Sequence, residues 1–276
     1  MVMSSVMGIA SLLIATFVDP VMHLVTLTGV LCLMLSAFLA NFFRDPDRPV
    51  PKDEGVLVSP ADGHVMFVAR ERSTGRRPSK SEVDSGECEN DPLTGDWFPE
   101  PLSVPQSFET EQRWERVNVG EESEEDVWRI AVFMSPLDVH VNRVPEAGTI
   151  VKMEHRTGKG KRRGPFLPAF KKESEFNERV RMLFKSETGK MLEIIQISGA
   201  LARTIIPWKG EGDVLRRGER YGMIRVGSRV DLRVPSSIYE PVVIGADSEN
   251  PSYPKGQFVS AGASILFRSI DSIEEE

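Results

Sequence analysis

Tyr221-Gly222-Met223-Ile224-Arg225-Val226-Gly227-Ser228-Arg229-Val230-Asp231-Leu232-Arg233-Val234 contains two short strand candidates, Tyr221 to Val226 and Arg229 to Val234, separated only by Gly227-Ser228. Runs of this length, rich in β-branched and aromatic residues and bounded by glycine, read as β-strands. The same pattern continues in both directions. Trp128 to Met134, Thr149 to Met153, Arg179 to Phe184, Met191 to Ile197 and Thr204-Ile205-Ile206 precede it, and Ser264 to Phe267 comes after. Glycines at 210, 212, 218, 222, 227, 256 and 262 punctuate the series. In Gly55 to Ala69, Val56 and Val58 on one side and Val65 and Phe67 on the other flank Asp62-Gly63, a hairpin signal. Helical periodicity after residue 50 is confined to Ser198 to Ile206. The predicted fold class is therefore mainly β, a compact β sandwich or barrel.

The N-terminus is different in kind. Val6 to Val18 and Val21 to Phe43 are nearly uninterrupted apolar runs separated by Asp19-Pro20. The second reaches the roughly 20 residues a helix needs to cross a bilayer, and the first is nearer the length of an interfacial or re-entrant piece. A buried core hairpin of helices is the alternative. A cleaved signal peptide fits poorly, because no basic residue precedes Val6 and no small-x-small site ends the run. Arg44, Arg48 and Lys52 stand just beyond Phe43, a bias that holds the rest of the chain on the cytoplasmic side. Residues 1–44 thus read as a hydrophobic helical membrane anchor and 45–276 as a separate domain.

Within that domain, residues 70–126 lose periodicity and gather Ser, Gly, Pro, Asp and Glu, which reads as an acidic, mostly disordered insertion. The 276 residues are 40% hydrophobic, enough for one substantial core plus a membrane segment, and a net charge of −7 argues against wholesale nucleic-acid binding. Basic residues gather instead at 156–163 and 171–172, where anionic headgroups are candidate partners. Two cysteines, Cys32 and Cys88, make no disulfide framework or cysteine metal cluster. Phosphate-loop, H-E-x-x-H, paired C-x-x-C and Rossmann signatures are absent, so nucleotide and zinc chemistry lose support and no metal is expected.

Three local patterns remain: Ser59-Pro60-Ala61-Asp62-Gly63, Met134-Ser135-Pro136-Leu137-Asp138-Val139-His140-Val141-Asn142-Arg143, and Gly227-Ser228. Singly, each is ordinary: a turn, a strand histidine, a glycine bulge. Together, and with Phe42-Phe43-Arg44-Asp45-Pro46, Asn177-Glu178-Arg179, Gln196-Ile197-Ser198-Gly199 and Arg225-Val226-Gly227-Ser228-Arg229-Val230-Asp231, they resemble the short form of the phosphatidylserine decarboxylase proenzymes. The resemblance covers the whole chain except the insertion.

That resemblance implies self-cleavage between Gly227 and Ser228, conversion of Ser228 into a pyruvoyl cofactor, and capture of the substrate amine there as a Schiff base. The implied products are phosphatidylethanolamine and CO2, made by two associated chains at the membrane. It also implies Asp62 as the acid of a serine-protease-like self-cleavage constellation. The chemistry suits the residues: decarboxylation needs an electron sink, and no side chain is a ketone, but a serine can become one. Gly227 offers an unhindered carbonyl and permissive dihedrals. The long forms of the family carry D-x-H-x-x-H; here the first histidine is His140 and Arg143 replaces the second. His140 is therefore the expected acid–base, with His64 beside Asp62 as the other candidate. A serine lipid on an ether-linked backbone is an alternative substrate. A non-catalytic membrane-tethered β-barrel is the alternative of another class, with Asp62-Gly63 and Val259-Ser260-Ala261-Gly262 shaping turns only.

Overall fold

The computed structural model describes residues 2–14, 21–73, 88–90, 97–99, 114–118, 120–124, 126–156, 177–199, 204–225, 227–245 and 256–273. These divide into two compact units, Met1–Pro46 with Leu137–Val139, and Asp47–Pro136 with His140–Glu276.

The first unit is helical. Helix α1 is Val2–Ile14 and α2 is Val21–Phe42. At 1.5 Å per residue, the 22 residues of α2 reach about 33 Å, enough for the hydrocarbon core, and the 13 of α1 only about 20 Å. Both threonine hydroxyls within α2 are satisfied inside the helix: Thr26 donates to the Met22 carbonyl at 2.7 Å and Thr28 to that of Leu24 at 2.9 Å. Leu24, Leu27, Leu31, Met34 and Leu35 lie exposed along it.

Among the described residues, the second unit is built from strands, with one short helix at its end. In chain order they are β1 (Val56–Val58), β2 (Gly63–Ser73), β3 (Cys88–Asn90), β4 (Trp97–Pro99), β5 (Trp114–Arg116), β6 (Val127–Met134), β7 (Val141–Arg143), β8 (Gly148–Arg156) and β9 (Arg179–Ser186). Next come β10 (Met191–Ile197), β11 (Ile205–Pro207), β12 (Val214–Leu215), β13 (Arg220–Ile224), β14 (Ser228–Pro235), β15 (Tyr239–Pro241), β16 (Phe258–Val259), β17 (Ile265–Ser269) and α3 (Ile270–Ile273). A nine-stranded antiparallel sheet runs β12-β8-β9-β10-β14-β6-β2-β16, with β5 added on β2. Two three-stranded sheets, β1-β17-β15 and β11-β13-β7, complete the layers, and β3 pairs with β4.

The period of two along β14 sorts the faces of the large sheet. Val230, Leu232 and Val234 enter the apolar core, together with Val132, Val180 and Ile194 of neighbouring strands. Leu57 and Phe267 from one small sheet and Ile205 and Ile224 from the other join the same cluster, so the core lies between the layers. The domain is mainly β, as its sequence predicts. Arg229, Asp231 and Arg233 occupy the opposite face, and they too are buried.

Two local expectations are corrected. The Asp62-Gly63 turn does not close a hairpin: β1 pairs with β17 and β2 with β6, so the chain changes sheets there. The reason is Ser59, whose amide donates to the Ser264 carbonyl at 2.7 Å and whose carbonyl accepts from Gly262, which draws the segment onto the 260–264 turn. Ile205–Pro207 is a strand paired with β13, as the strand reading of Thr204-Ile205-Ile206 expects, and the helical alternative fails there. The stretch 70–126 is entered by β2, which continues to Ser73, and left through β5, which pairs Trp114 with Ser73 and Arg116 with Glu71. The pair β3–β4 lies between them, and the rest of that stretch falls mostly outside the described residues. The basic residues 157–163 and 171–172 also fall outside them.

Candidate active site

Backbone pairing brings the three sequence patterns together. Ser228 opens β14 and lies directly opposite Met134, the last residue of β6. Gly63 stands at the other side of Met134, so close that a Cβ on it would meet the Phe133 carbonyl oxygen at 1.9 Å. The Arg143 amide donates to the Pro60 carbonyl at 3.0 Å, and the Ile224 amide to the His140 carbonyl at 3.3 Å. The His140 segment therefore runs beside the strand that leads into Gly227-Ser228.

Ser228 is fully buried, and its Oγ has no hydrogen-bond partner among the described residues. Gly227 sits at φ 60°, in the left-handed region, with open space where a side chain would be. His140 is fully buried as well. Asp62 is 2% exposed, and its carboxylate is gripped by Arg48, with Nη2 to Oδ2 at 2.6 Å, and by the Ala261 amide at 2.7 Å. Among the described residues, no hydrogen bond joins Asp62, His140 and Ser228 into a relay in this uncut chain.

Arg143 donates to the Gly218 carbonyl at 3.0 Å and packs where Gly262 leaves room. A guanidinium does not give up its proton, so this residue cannot act as a general base. His64 pairs in register with Phe133, and Phe133 with Arg229. Directly opposed residues share a face, so His64 lies on the side of the sheet away from Ser228. There it meets the Gly256 carbonyl at 2.9 Å and the edge of Phe258.

Other polar groups line the Ser228 face. Gln196 donates to Asn142 Oδ1 at 2.8 Å, and the Asn142 amide reaches the Met134 sulfur at 3.6 Å. Ser198 and Glu178 are buried, each with one side-chain oxygen lacking a partner among the described residues. Burial pushes the Tyr221 phenol far above its ordinary value, keeping it a neutral hydroxyl. Arg48, Glu178 and Ser198 are the residues to which sequence reasoning gave no role at the site. Glu178 and Ser198 belong to motifs that the sequence itself displays, whereas Arg48 looks like any basic residue flanking a membrane segment.

Comparison with known proteins agrees with this geometry. The family model described as phosphatidylserine decarboxylase matches residues 35–267. A phosphatidylserine decarboxylase proenzyme of Streptomyces coelicolor is 51% identical over 211 residues, 76% of this chain and 69% of that protein. One from Nitratidesulfovibrio vulgaris is 34% identical over 240 residues, 87% of this chain and 82% of that one. A putative archaetidylserine decarboxylase proenzyme of Methanopyrus kandleri is 36% identical over 239 residues, 86% and 85% of the two chains. With the match running from within α2 into β17, this chain is a decarboxylase of the phosphatidylserine decarboxylase family.

Proposed function

We propose that the chain cuts itself between Gly227 and Ser228, that Ser228 becomes a pyruvoyl group, and that the mature two-chain protein converts phosphatidylserine to phosphatidylethanolamine and CO2. The observation that carries this reading is the buried Ser228 hydroxyl, without a hydrogen-bond partner among the described residues, immediately after a left-handed glycine. Leaving such a group unsatisfied costs about 1–3 kcal/mol, and a serine kept at that cost is one the protein uses. Its nearest electrophile is the Gly227 carbonyl carbon. Attack closes a five-membered ring and turns the amide into an ester. Elimination then frees the Gly227 carboxylate, and hydrolysis of the dehydroalanine left behind releases ammonia and leaves the pyruvoyl group.

His140 takes the serine proton in this reading. It is buried beside the incoming strand, whereas His64 lies on the opposite face. Asp62 acts by its charge and by holding the turn that abuts the His140 segment. A pyruvoyl group stays where its serine stood, and the polar groups of Gln196, Asn142 and Ser198 around that point suit it. When present, it supplies the carbonyl that takes up the substrate amine and accepts the electrons freed as CO2 leaves. Residues 1–44 anchor the protein, with 45–276 as the catalytic domain on the cytoplasmic face, where the bias of Arg44 and Lys52 directs it.

The test is the mass of purified protein. The wild type yields two chains, the shorter with a blocked, carbonyl-bearing terminus at 228, and Ser228→Ala yields one uncut chain. His140→Ala stays uncut or splits at least a hundredfold more slowly; normal splitting would remove His140 from the mechanism. Because the Methanopyrus relative is named for archaetidylserine, the ether-linked lipid belongs in the same activity assay. Faster turnover of the diacyl lipid is the expected result.

A further inference from the structure

Glu178, Ser198, Ser228 and Met134 stand at one level across four neighbouring chain segments. Ile197 pairs with Arg179 on one side and Arg229 on the other, and Ser228 with Met134. One residue further along, Ser198 therefore lies between Glu178 and Ser228, and its amide donates to the Glu178 carbonyl at 2.9 Å. Opposed residues share a face, here the face of Val180 and Val230. With strands about 4.8 Å apart, the Glu178 and Ser228 backbones are about 10 Å from each other, a gap that side chains and a small headgroup fill.

Three oxygens in this row, Ser228 Oγ, Ser198 Oγ and Glu178 Oε2, are buried without a hydrogen-bond partner among the described residues. Glu178 is 3% exposed. Its other oxygen meets His155 Nε2 at 2.9 Å, and the His155 side chain is 45% exposed. A buried carboxylate oxygen facing no donor calls for a cation or an N–H group. Its neighbours along the row, Val180, Val230 and Met134, supply neither.

We propose that Glu178 and Ser198 form the subsite that receives the substrate's ammonium group beside Ser228. This rests on the proposed function. In a serine headgroup only the ammonium is attracted by Glu178; the carboxylate and phosphate are repelled, so the amine is turned toward residue 228. Attack on a carbonyl needs the nitrogen lone pair. One proton passes from the ammonium to Glu178 Oε2, leaving a neutral amine, while His155 ties the other carboxylate oxygen to solvent. Ser198, midway, accepts a hydrogen bond from the same nitrogen.

The test uses mature protein reduced with borohydride, which turns the terminal carbonyl into a hydroxyl and prevents covalent capture. Calorimetry then measures glycerophosphoethanolamine, which carries the ammonium, against glycerophosphate, which does not. Glu178→Gln weakens the first about tenfold and leaves the second unchanged, and Ser198→Ala weakens the first about threefold. Equal weakening of both ligands, or no change in either, overturns the subsite: Glu178 then holds only water or supports the fold. If Glu178→Gln does not fold, Ser198→Ala decides by the same comparison. A wild-type chain that never splits defeats the proposed function and this subsite with it; a wild type that splits, with unchanged selectivity in the variants, defeats the subsite alone.

Discussion

Arg48 shows how one residue serves two readings. In the sequence it is one of three basic residues after an apolar run; in the fold it closes on Asp62, with its side chain 17% exposed and that of Asp62 3% exposed. Removing one partner of a buried ion pair leaves the other charge uncompensated. Arg48→Ala should therefore cost about 2–4 kcal/mol, the lower part of the range for buried pairs because Arg48 keeps some solvent. Arg48→Ala with Asp62→Asn should recover much of that loss, since no charge is then stranded. Thermal unfolding of the four proteins of this cycle checks it, and an additive double variant would mean that the pair is not coupled. At this scale the motifs that hold Ser228, Gly227, His140 and Asp62 were legible, because their order along the chain reveals the family. The Arg48 pairing was not, because the residues are brought together only when Ser59–Asp62 docks on the 260–264 turn.

Among the elements, β2 and β6 depend on a missing side chain. Gly63 has φ 137°, and a Cβ there would lie 1.9 Å from a backbone oxygen that cannot move without breaking the β6 ladder. Gly63→Ala should cost more than the about 1–3 kcal/mol of backbone strain alone. It should also abolish self-cleavage, because Met134, which Gly63 crowds, is the register partner of Ser228; gels of freshly expressed protein read this directly. In the helical unit, Gly8 and Gly29 meet in the same way, a Cβ on either lying 3.0 Å from the other's carbonyl oxygen. The α1–α2 pairing is thus a close backbone approach of the kind small residues permit. The sequence showed strand existence well, since the apolar alternation of β6, β9, β10 and β14 is long. It misled at Asp62-Gly63, where a favoured turn pair serves a change of sheet, and it left Thr204-Ile205-Ile206 open between strand and helix, a stretch too short for periodicity to separate the two.

The molecule as a whole carries a charged layer on the far side of its large sheet. Arg181 pairs with Glu193, and Glu193 with Arg233 at 3.2 Å; Arg233 and Arg129 share Glu71; Arg129 and Arg229 both hold Asp231. Alternation along β14 makes the layer inevitable once Val230, Leu232 and Val234 take the core, yet burial of the charged face was not legible, because polar alternation ordinarily marks a solvated side. Burial alone would raise the Asp231 pKa, but Arg129 and Arg229 overcome it and hold the carboxyl down to about 2. Since the folded value lies below the unfolded one, this contribution is fully present above the unfolded value near 3.8 and is lost as pH falls toward 2. A displacement of that size corresponds to about 2 kcal/mol at neutral pH. Glu193, also lowered in spite of burial by Arg181 and Arg233, adds loss in the same direction. The unfolding midpoint of the strand-built unit should therefore hold steady from pH 7 to about 5 and fall steeply between about 4 and 2. Asp231→Asn should remove part of that acid dependence while costing about 3–5 kcal/mol at neutral pH, because Arg129 and Arg229 lose their shared counter-charge. A variant as stable as the wild type at pH 7, with the same acid profile, would show that the layer is held by packing and not by its ion pairs.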